Sequence, residues 1–213
     1  MANMTAEFGG QAGLIAPDAT TLAYLAAAGV HDADAVPWHS DADAPLLAEH
    51  VFDAAALAPQ VAAPFSPANA ADVEQFHAQA IDIAYIGACT GAKLEDMRMA
   101  ARILKGRRVA PQVTLMLAPA SLHDQQQAQK EGTLDILLDA GAQLLPNACG
   151  ACAGYGAHRF GENVRVISST ARNFKGRMGA ASAQVFLASP YTVAASALTG
   201  HITDPRLYLE RAA

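Results

Sequence analysis

The stretch IDIAYIGACTGAKLEDMRMAARIL, residues 81–104, decides the fold. Its first eight residues form a short apolar run, which is typical of a buried β-strand. The four residues CTGA follow at 89–92, and a helical stretch at 93–104 is then closed by Gly106. A buried strand that leads through a short turn into a helix is the first half of a parallel β–α–β unit.

The alternation of strands and helices continues toward the C-terminus. Apolar runs predict strands at 113–119, 142–146 and 163–169, and helices are predicted at 122–131, 133–140, 180–188 and 191–198. Alternation at this spacing predicts an α/β fold in three layers, with a mostly parallel sheet and helices on both faces.

The N-terminal third of the chain has a different pattern. Residues 1–30 are helical in two pieces. Residues 31–70 are rich in Pro, Asp and Ser, which predicts mostly loop with a short helix over 46–57. Prolines at 59, 64 and 67 indicate a linker or an extended edge segment.

Length and composition limit the classes of protein to which the chain can belong. The 213 residues are enough for a small helical and loop lobe with its linker, predicted over 1–78, and an α/β domain, predicted over 79–213. The net charge is −6 and no long basic run occurs, which argues against a nucleic-acid partner. No apolar stretch reaches the length of a membrane span, so no membrane partner is expected.

The cellular compartment bears on the cysteines. The first residues, MANMTAEFGGQAG, lack the basic start and apolar run of a signal peptide, which predicts a cytoplasmic protein. A reducing compartment disfavours disulfides, and the three cysteines are an odd number. Such cysteines are core residues, metal ligands or nucleophiles.

The pair Cys149-Gly-Ala-Cys152 is the first chemical signal. A C-x-x-C pair binds zinc, exchanges disulfides or ligates an iron–sulfur cluster, and it also occurs incidentally. A thioredoxin-like role fits poorly, because the pair follows the third predicted strand rather than the first. A structural zinc site needs four ligands, and the sequence has no second C-x-x-C and no H-x-x-x-H.

Two further segments carry candidate site residues. Cys89 follows a predicted strand between Gly87 and Gly91, where backbone N–H groups can approach a bulky anion or cluster sulfurs; a buried structural cysteine is the alternative. Arg172 and Arg177 lie five positions apart around a glycine and can form forks for carboxylates, or a solvated basic loop. Since these loops follow different strands of one parallel sheet, we expect them at the same sheet edge.

These segments together resemble the aconitase superfamily, which includes the large subunits of 3-isopropylmalate dehydratases. Residues 86–104 are similar to its GSCTN segment and following helix, and LPNACGACAG is similar to its CG-x-C segment. STARNFKGRMG is similar to its SNRNF-x-GR motif, and residues 189–205 are similar to its closing S-P-x-x-x-x-A-x-A-x-x-G segment. Residues 3–7 and 12–25 are similar to the stretch ahead of the linker. The resemblance is weakest over 31–78.

The resemblance implies a cofactor and its ligands. Family members hold a 4Fe–4S cluster through three cysteines, which match Cys89, Cys149 and Cys152. The fourth iron has no protein ligand and binds the substrate hydroxyl and carboxylate as a Lewis acid. The implied fold is that of the third aconitase domain.

The resemblance also implies a reaction and further site residues. The reaction is reversible dehydration of a hydroxy di- or tricarboxylic acid of the isopropylmalate, aconitate or homoaconitate type, as in leucine biosynthesis. By the same matching, Arg172 and Arg177 are catalytic and bind substrate carboxylates, Asn3 binds substrate, and Glu7 is catalytic near the hydroxyl.

The chain departs from the family pattern in several places. It contains no D-S-H motif and no small swivelling domain, so it is expected to be half of a large subunit. Its expected partners are the N-terminal half of a large subunit and a small swivelling subunit. Ala88, Gly91 and Ala171 stand where the family has Ser, Asn and Asn, and each removes a hydrogen-bonding group near the cluster or substrate.

Three functions therefore remain open at the level of sequence. The first is a subunit or fragment of an iron–sulfur hydro-lyase. The second is a non-catalytic, degenerate domain that binds a partner or senses iron or oxygen. The third is a zinc- or thiol-based protein that keeps only the fold.

Overall fold

The computed structural model describes residues 1–32 and 38–209, except for the side chain of Phe8. The chain forms two compact units, Met1–Ala55 and Ala56–Ala213. The sequence-based division at 78/79 falls inside the second unit. Among the described residues, no helix is long and apolar enough to cross a bilayer.

The first unit contains the two helical pieces expected before residue 30. A 3₁₀-helix spans Ala2–Phe8, and helix α1 spans Ala19–Ala27. Asp18 caps α1, since its carboxylate accepts a hydrogen bond of 2.9 Å from the backbone N–H of Thr21. The helix predicted over 46–57 is wrong, because only a 3₁₀ turn at Ala54–Ala56 forms there. All residues of 46–57 are exposed, so no packing stabilises a short helix.

The second unit is built on a seven-stranded sheet with the order β2-β1-β7-β6-β3-β4-β5. The strands are β1 Gln60–Ala62, β2 Ala70–Asp72, β3 Ile83–Gly87, β4 Thr114–Ala118, β5 Gln143–Leu144, β6 Arg165–Ser168 and β7 Gln184–Ala188. The five strands from β7 to β5 are parallel, and the β1–β2 hairpin adds to β7 in the antiparallel sense. The α/β class and the mostly parallel sheet are confirmed.

The helices of this unit are α2 Leu94–Leu104, α3 Leu122–Lys130, α4 Thr133–Asp139 and α5 Pro190–Thr199. Each begins shortly after a strand ends, except α4, which follows α3 across Gly132. Ser121 and Ser189 cap α3 and α5 by accepting a hydrogen bond from a backbone N–H of the first turn. These four helices match the predicted ones.

Two sequence-based expectations change in the second unit. The helix predicted over 180–188 is wrong, since residues 184–188 form β7. Its alanines favour a helix. In the strand, however, Phe186 packs into the hydrophobic cluster on one face of the sheet and Val185 packs into the cluster on the other face. This tertiary burial outweighs the local helix propensity. Between 59 and 72 the proline-rich segment is not a linker; the alternative of an extended edge segment is confirmed by β1 and β2.

The side chains of the central strands divide into two cores. On one face Ala84, Ile86, Leu115, Leu117 and Ile167 pack with the buried side chains of α2 to α5. On the opposite face Tyr85, Met116 and Val166 pack with Ala151, Phe160 and Met178, which come from loops and a 3₁₀ turn. Within residues 56–209 the α-helices thus lie on one face, and the loops after β5 and β6 cover the other. The prediction of helices on both faces is therefore wrong for this part of the chain, because long loops rather than helices bury the second face. Those loops carry most of the predicted site residues.

Candidate functional site

The carboxyl ends of β3, β5 and β6 bring together three loops that contain predicted site residues. Cys89 follows β3, Cys149 and Cys152 follow β5, and the segment with Arg172 and Arg177 follows β6. In a parallel sheet these ends share one edge, which is where ligands bind in such folds. The expected convergence of the three loops at one edge is what the topology produces.

The Cys89 turn is held from both sides by Ser169. The Ser169 hydroxyl donates a hydrogen bond of 2.7 Å to the carbonyl of Gly91 and accepts one of 3.1 Å from the backbone N–H of Gly87. The Ser169 N–H donates to the carbonyl of Tyr85 at 3.0 Å. One serine at the end of β6 therefore fixes the loop that follows β3, and the Cys89 side chain remains exposed.

Gly91 has no room for a side chain. A Cβ placed there would overlap the carbonyl oxygen of Ser169 and come within 2.7 Å of its hydroxyl oxygen. The glycine, which stands where the resembled family has asparagine, is thus matched to the close approach of Ser169. The close approach of Ser169 therefore explains why the residue at position 91 has no side chain.

Replacing Gly91 with alanine is expected to destabilise the protein by about 2 kcal/mol, because backbone atoms of two strand ends must separate to admit the methyl group. Urea unfolding of the purified chain measures the change. Gly161→Ala is the matched control, since the nearest atom to its added Cβ is 3.9 Å away. Equal stability of the two variants would contradict the close packing at Gly91.

The loop after β5 contains a 3₁₀ turn, Gly150–Ala153, which Cys149 immediately precedes and which includes Cys152. Gly154 ends the turn with φ 71°, and a Cβ at this position would lie 2.9 Å from the carbonyl oxygen of Arg177. The amide of Asn147 donates a hydrogen bond of 3.1 Å to the carbonyl of Pro119, at the end of β4. The cysteine turn is therefore anchored to the neighbouring strand and packs against the arginine segment.

The three thiols are free and lie close enough to influence one another. Burial raises the pKa of the half-buried Cys152 thiol, while a hydrogen bond from Arg177 and its charge lower the pKa. Negative charge on Cys89 or Cys149 raises the pKa of Cys152 further. Sulfur atoms from two separate loops thus form one electrostatic group, with the Arg177 guanidinium beside it.

The arginine segment is tied into the sheet by Asn173. This side chain is fully buried, and its Nδ2 donates hydrogen bonds of 2.9 Å to the carbonyls of Ala63 and Val185. The amide thereby bridges the segment that follows β1 and strand β7. Both arginines that flank Asn173 are half-buried, and the Arg177 Nε is buried with no hydrogen-bond partner among the described residues.

Asn3 and Glu7 lie in the other unit, on the 3₁₀-helix Ala2–Phe8. Asn3 is exposed and Glu7 is half-buried. Their roles stay predictions.

Sequence reasoning did not single out Ser169 or a role for Asn173. Both lie within the motif STARNFKGRMG, whose most evident chemical groups are its two arginines. A polar residue directly after a buried strand is the signal that points to Ser169, since its hydroxyl must find partners at a crowded strand end. The partners of the Ser169 hydroxyl, Gly91 and Gly87, are 78 and 82 positions away in the chain.

The donor set fits an iron–sulfur cluster better than a single ion. Within residues 1–32 and 38–209, no three His, Cys, Asp or Glu side chains are arranged to hold one metal ion. Three thiolates that each bind a different iron of a cube stand farther apart than the ligands of one ion. Glycines on both sides of Cys89 and within the Cys149 turn carry no side chains that would keep the backbone away from a bulky cluster.

The comparison with protein families agrees with the motifs. The model of the aconitase family (aconitate hydratase) matches residues 1–200. Among curated relatives, the 3-isopropylmalate dehydratase large subunit 1 of Methanopyrus kandleri is 42% identical over 210 residues, which are 98% of this chain and 50% of the relative. The 3-isopropylmalate dehydratase large subunit of Wolinella succinogenes is 43% identical over 97% of this chain and 49% of its own length.

A relative with a different name is equally similar. The probable methanogen homoaconitase large subunit of Methanosarcina mazei is 43% identical over 206 residues, which are 97% of this chain and 51% of the relative. The chain spans about half the length of the curated relatives it matches.

Proposed function

The chain belongs to the aconitase family, and from this premise we propose that it is the iron–sulfur half of a hydro-lyase for hydroxy di- or tricarboxylic acids. Its reaction is the reversible loss of water from such an acid, of the isopropylmalate, aconitate or homoaconitate type. The names of its relatives, 3-isopropylmalate dehydratase and homoaconitase large subunits, support this class of substrate.

One observation carries the proposal: the parallel strands β3, β5 and β6 bring the loops with the three free cysteines and the loop with Arg172 and Arg177 to one edge of the sheet. Cys89, Cys149 and Cys152 would hold a 4Fe–4S cluster at this place. When bound, the cluster supplies a Lewis-acidic iron that polarises the substrate hydroxyl. The neighbouring guanidinium supplies the positive charge that an anionic substrate requires.

Residues of the chain itself are proposed to bind the substrate and to act on it. Arg172 and Arg177 are proposed to bind substrate carboxylates in planar forks, because a guanidinium matches a carboxylate with two parallel N–H donors. This charge stabilises the negative charge that builds on a carboxylate when a proton leaves the adjacent carbon. The buried Nε of Arg177, which has no partner among residues 1–32 and 38–209, is a donor that a carboxylate would satisfy. Asn3 is proposed to bind substrate, and Glu7 is proposed to be catalytic near the substrate hydroxyl.

The proposed enzyme needs further polypeptide. Because the chain spans about half the length of its relatives, we propose that the N-terminal half of a large subunit and a small swivelling subunit complete the active site. A location in the cytoplasm and a place in leucine or related biosynthesis are part of the same proposal.

The test is turnover by the reconstituted assembly. The chain is loaded anaerobically with iron and sulfide, mixed with the N-terminal half of a large subunit and a small subunit, and assayed with 3-isopropylmalate, citrate and homocitrate. Formation of the unsaturated acid is followed by its ultraviolet absorbance. Arg177→Lys is expected to lower kcat/KM by roughly ten- to a hundredfold, which corresponds to the loss of about 1.5–3 kcal/mol from a charged hydrogen bond.

Arg108→Lys is the matched control, since Arg108 is exposed on the loop after α2, which leads to the amino end of β4. It should leave kcat/KM unchanged. If the assembly binds the cluster but turns over none of the three acids, the chain is the non-catalytic binding or sensing domain instead.

A further inference from the structure

Tyr85 carries a polar group that the fold does not satisfy. The residue is 0% exposed at the centre of β3, and its hydroxyl makes no well-formed hydrogen bond among the described residues. The backbone of Cys152 lies close enough to lower the pKa of Tyr85, but among the described residues no acceptor faces the hydroxyl proton. A buried hydroxyl without a partner loses its hydration with nothing in exchange, so such groups are rare and indicate a missing acceptor. A phenylalanine would fill the same space without this penalty.

The Tyr85 ring lies along its own strand toward the edge that carries the cysteines. A Cβ at Gly87 would overlap the ring and come within 2.6 Å of the Tyr85 hydroxyl oxygen. The absence of a side chain at Gly87 is therefore what lets the ring lie against β3, with its hydroxyl beside Gly87, which is two residues before Cys89. The ring packs edge-on against Phe160, with centroids 6.1 Å apart.

The neighbours of the hydroxyl indicate which acceptor is missing. Cys152 packs against the same hydrophobic cluster as Tyr85, and Ala151, from the 3₁₀ turn that carries Cys152, belongs to that cluster. Burial raises the pKa of Tyr85, negative charge on Cys152, Cys149 and Cys89 raises it as well, and the backbone of Cys152 lowers it. A cavity of about 340 Å³, lined by Tyr85, Leu145, Ala151, Tyr155 and His158 among others, lies beside it.

We propose that Tyr85 is a positioning residue whose hydroxyl donates a hydrogen bond to a sulfur atom of the bound iron–sulfur cluster. This inference rests on the proposed function, since the acceptor arrives only with the cluster. A thiolate or sulfide is an anionic acceptor, so the bond would be charge-assisted. Hydrogen bonds to cluster sulfurs stabilise the more reduced state, because they offset its additional negative charge.

The inference predicts different effects of Tyr85→Phe in the cluster-free and the cluster-loaded protein. Without the cluster, Tyr85→Phe removes an unpaired buried hydroxyl, so its thermal midpoint should equal or exceed that of the wild type. With the cluster, the same change removes a donor, so the midpoint reduction potential should shift to more negative values. A hydroxyl with a purely structural role would give the opposite result in the cluster-free protein and no shift in the loaded one.

The experiment compares the full chain as wild type, Tyr85→Phe and Tyr191→Phe after anaerobic loading. Iron content, an EPR-monitored redox titration and the exchangeable-proton couplings of the reduced cluster are measured. Tyr85→Phe should bind the same amount of iron, show a more negative potential and lose one exchangeable-proton coupling. Tyr191→Phe is the control. Tyr191 lies on α5, on the opposite face of the sheet, and its hydroxyl accepts a hydrogen bond of 3.0 Å from Arg102. This variant should match the wild type in iron content, potential and couplings.

Each failure has its own meaning. If the wild type and Tyr85→Phe both load and share the same potential and couplings, the inference on Tyr85 is overturned and the proposed function stands. A lower thermal midpoint of cluster-free Tyr85→Phe would likewise overturn it, by showing that the hydroxyl already has a partner. A wild-type chain that takes up no cluster would overturn both.

Discussion

Replacing any one of Cys89, Cys149 or Cys152 with serine should abolish uptake of the iron–sulfur cluster. The wild type, loaded anaerobically with iron and sulfide, is expected to hold about four irons per chain and to absorb broadly in the visible range. Each variant removes one of only three thiols in the chain, and an incomplete set leaves an iron without a protein ligand. Iron analysis and the visible spectrum after gel filtration measure the loss.

Ala148→Ser is the matched control for these variants. It introduces the same hydroxymethyl group beside Cys149, at an exposed position, without removing a thiol. It should load as fully as the wild type. A full cluster in all three cysteine variants would mean that the thiols are not the ligands. Equal metal content after aerobic and anaerobic purification, with zinc as the metal, would favour the zinc-based alternative.

Replacing Asn173 with alanine should destabilise the chain by about 3 kcal/mol. The side-chain amide lies where β1 leaves the sheet, and it donates to the carbonyls of Ala63 and Val185 in place of a strand. Its removal leaves buried carbonyls without a donor, and each unsatisfied group costs about 1–3 kcal/mol. The segment that carries both arginines loses its anchor at the same time. Urea unfolding of the cluster-free chain measures the change.

Two further variants make the result specific. Asn147→Ala also removes an asparagine amide, but this residue is half-buried and makes one hydrogen bond, so a loss of about 1 kcal/mol or less is expected. Asn173→Asp keeps the shape but replaces the donor with a carboxylate that faces carbonyl oxygens, so it should be at least as destabilising as alanine. If Asn173→Ala unfolds at the same urea concentration as Asn147→Ala, the anchoring role is wrong.

Local patterns in the chain were sufficient for the order of most elements. The strands β3, β4 and β6 and the helices α2 to α5 follow from apolar runs and helix-forming stretches, because their buried faces are continuous in sequence. Strand β7 did not follow. Residues 180–188 are rich in alanine and resemble a helix, and only the parallel partner β6 and the two cores make them a strand. Short segments are decided by their neighbours rather than by their own propensity.

The sequence by itself determined which residue types are available: three thiols and two arginines on loops after parallel strands, in motifs of one family. Only the tertiary structure decided how these loops are held. The hydrogen bonds of Ser169 to Gly87 and Gly91, and of Asn173 to β7 and the segment after β1, join residues far apart in the chain. The unpaired hydroxyl of Tyr85 became visible in the same way, since burial and partnership are properties of packed neighbours. The residue types determine which chemical groups are available, whereas the distances between these groups and their burial arise only when separate strands pack together.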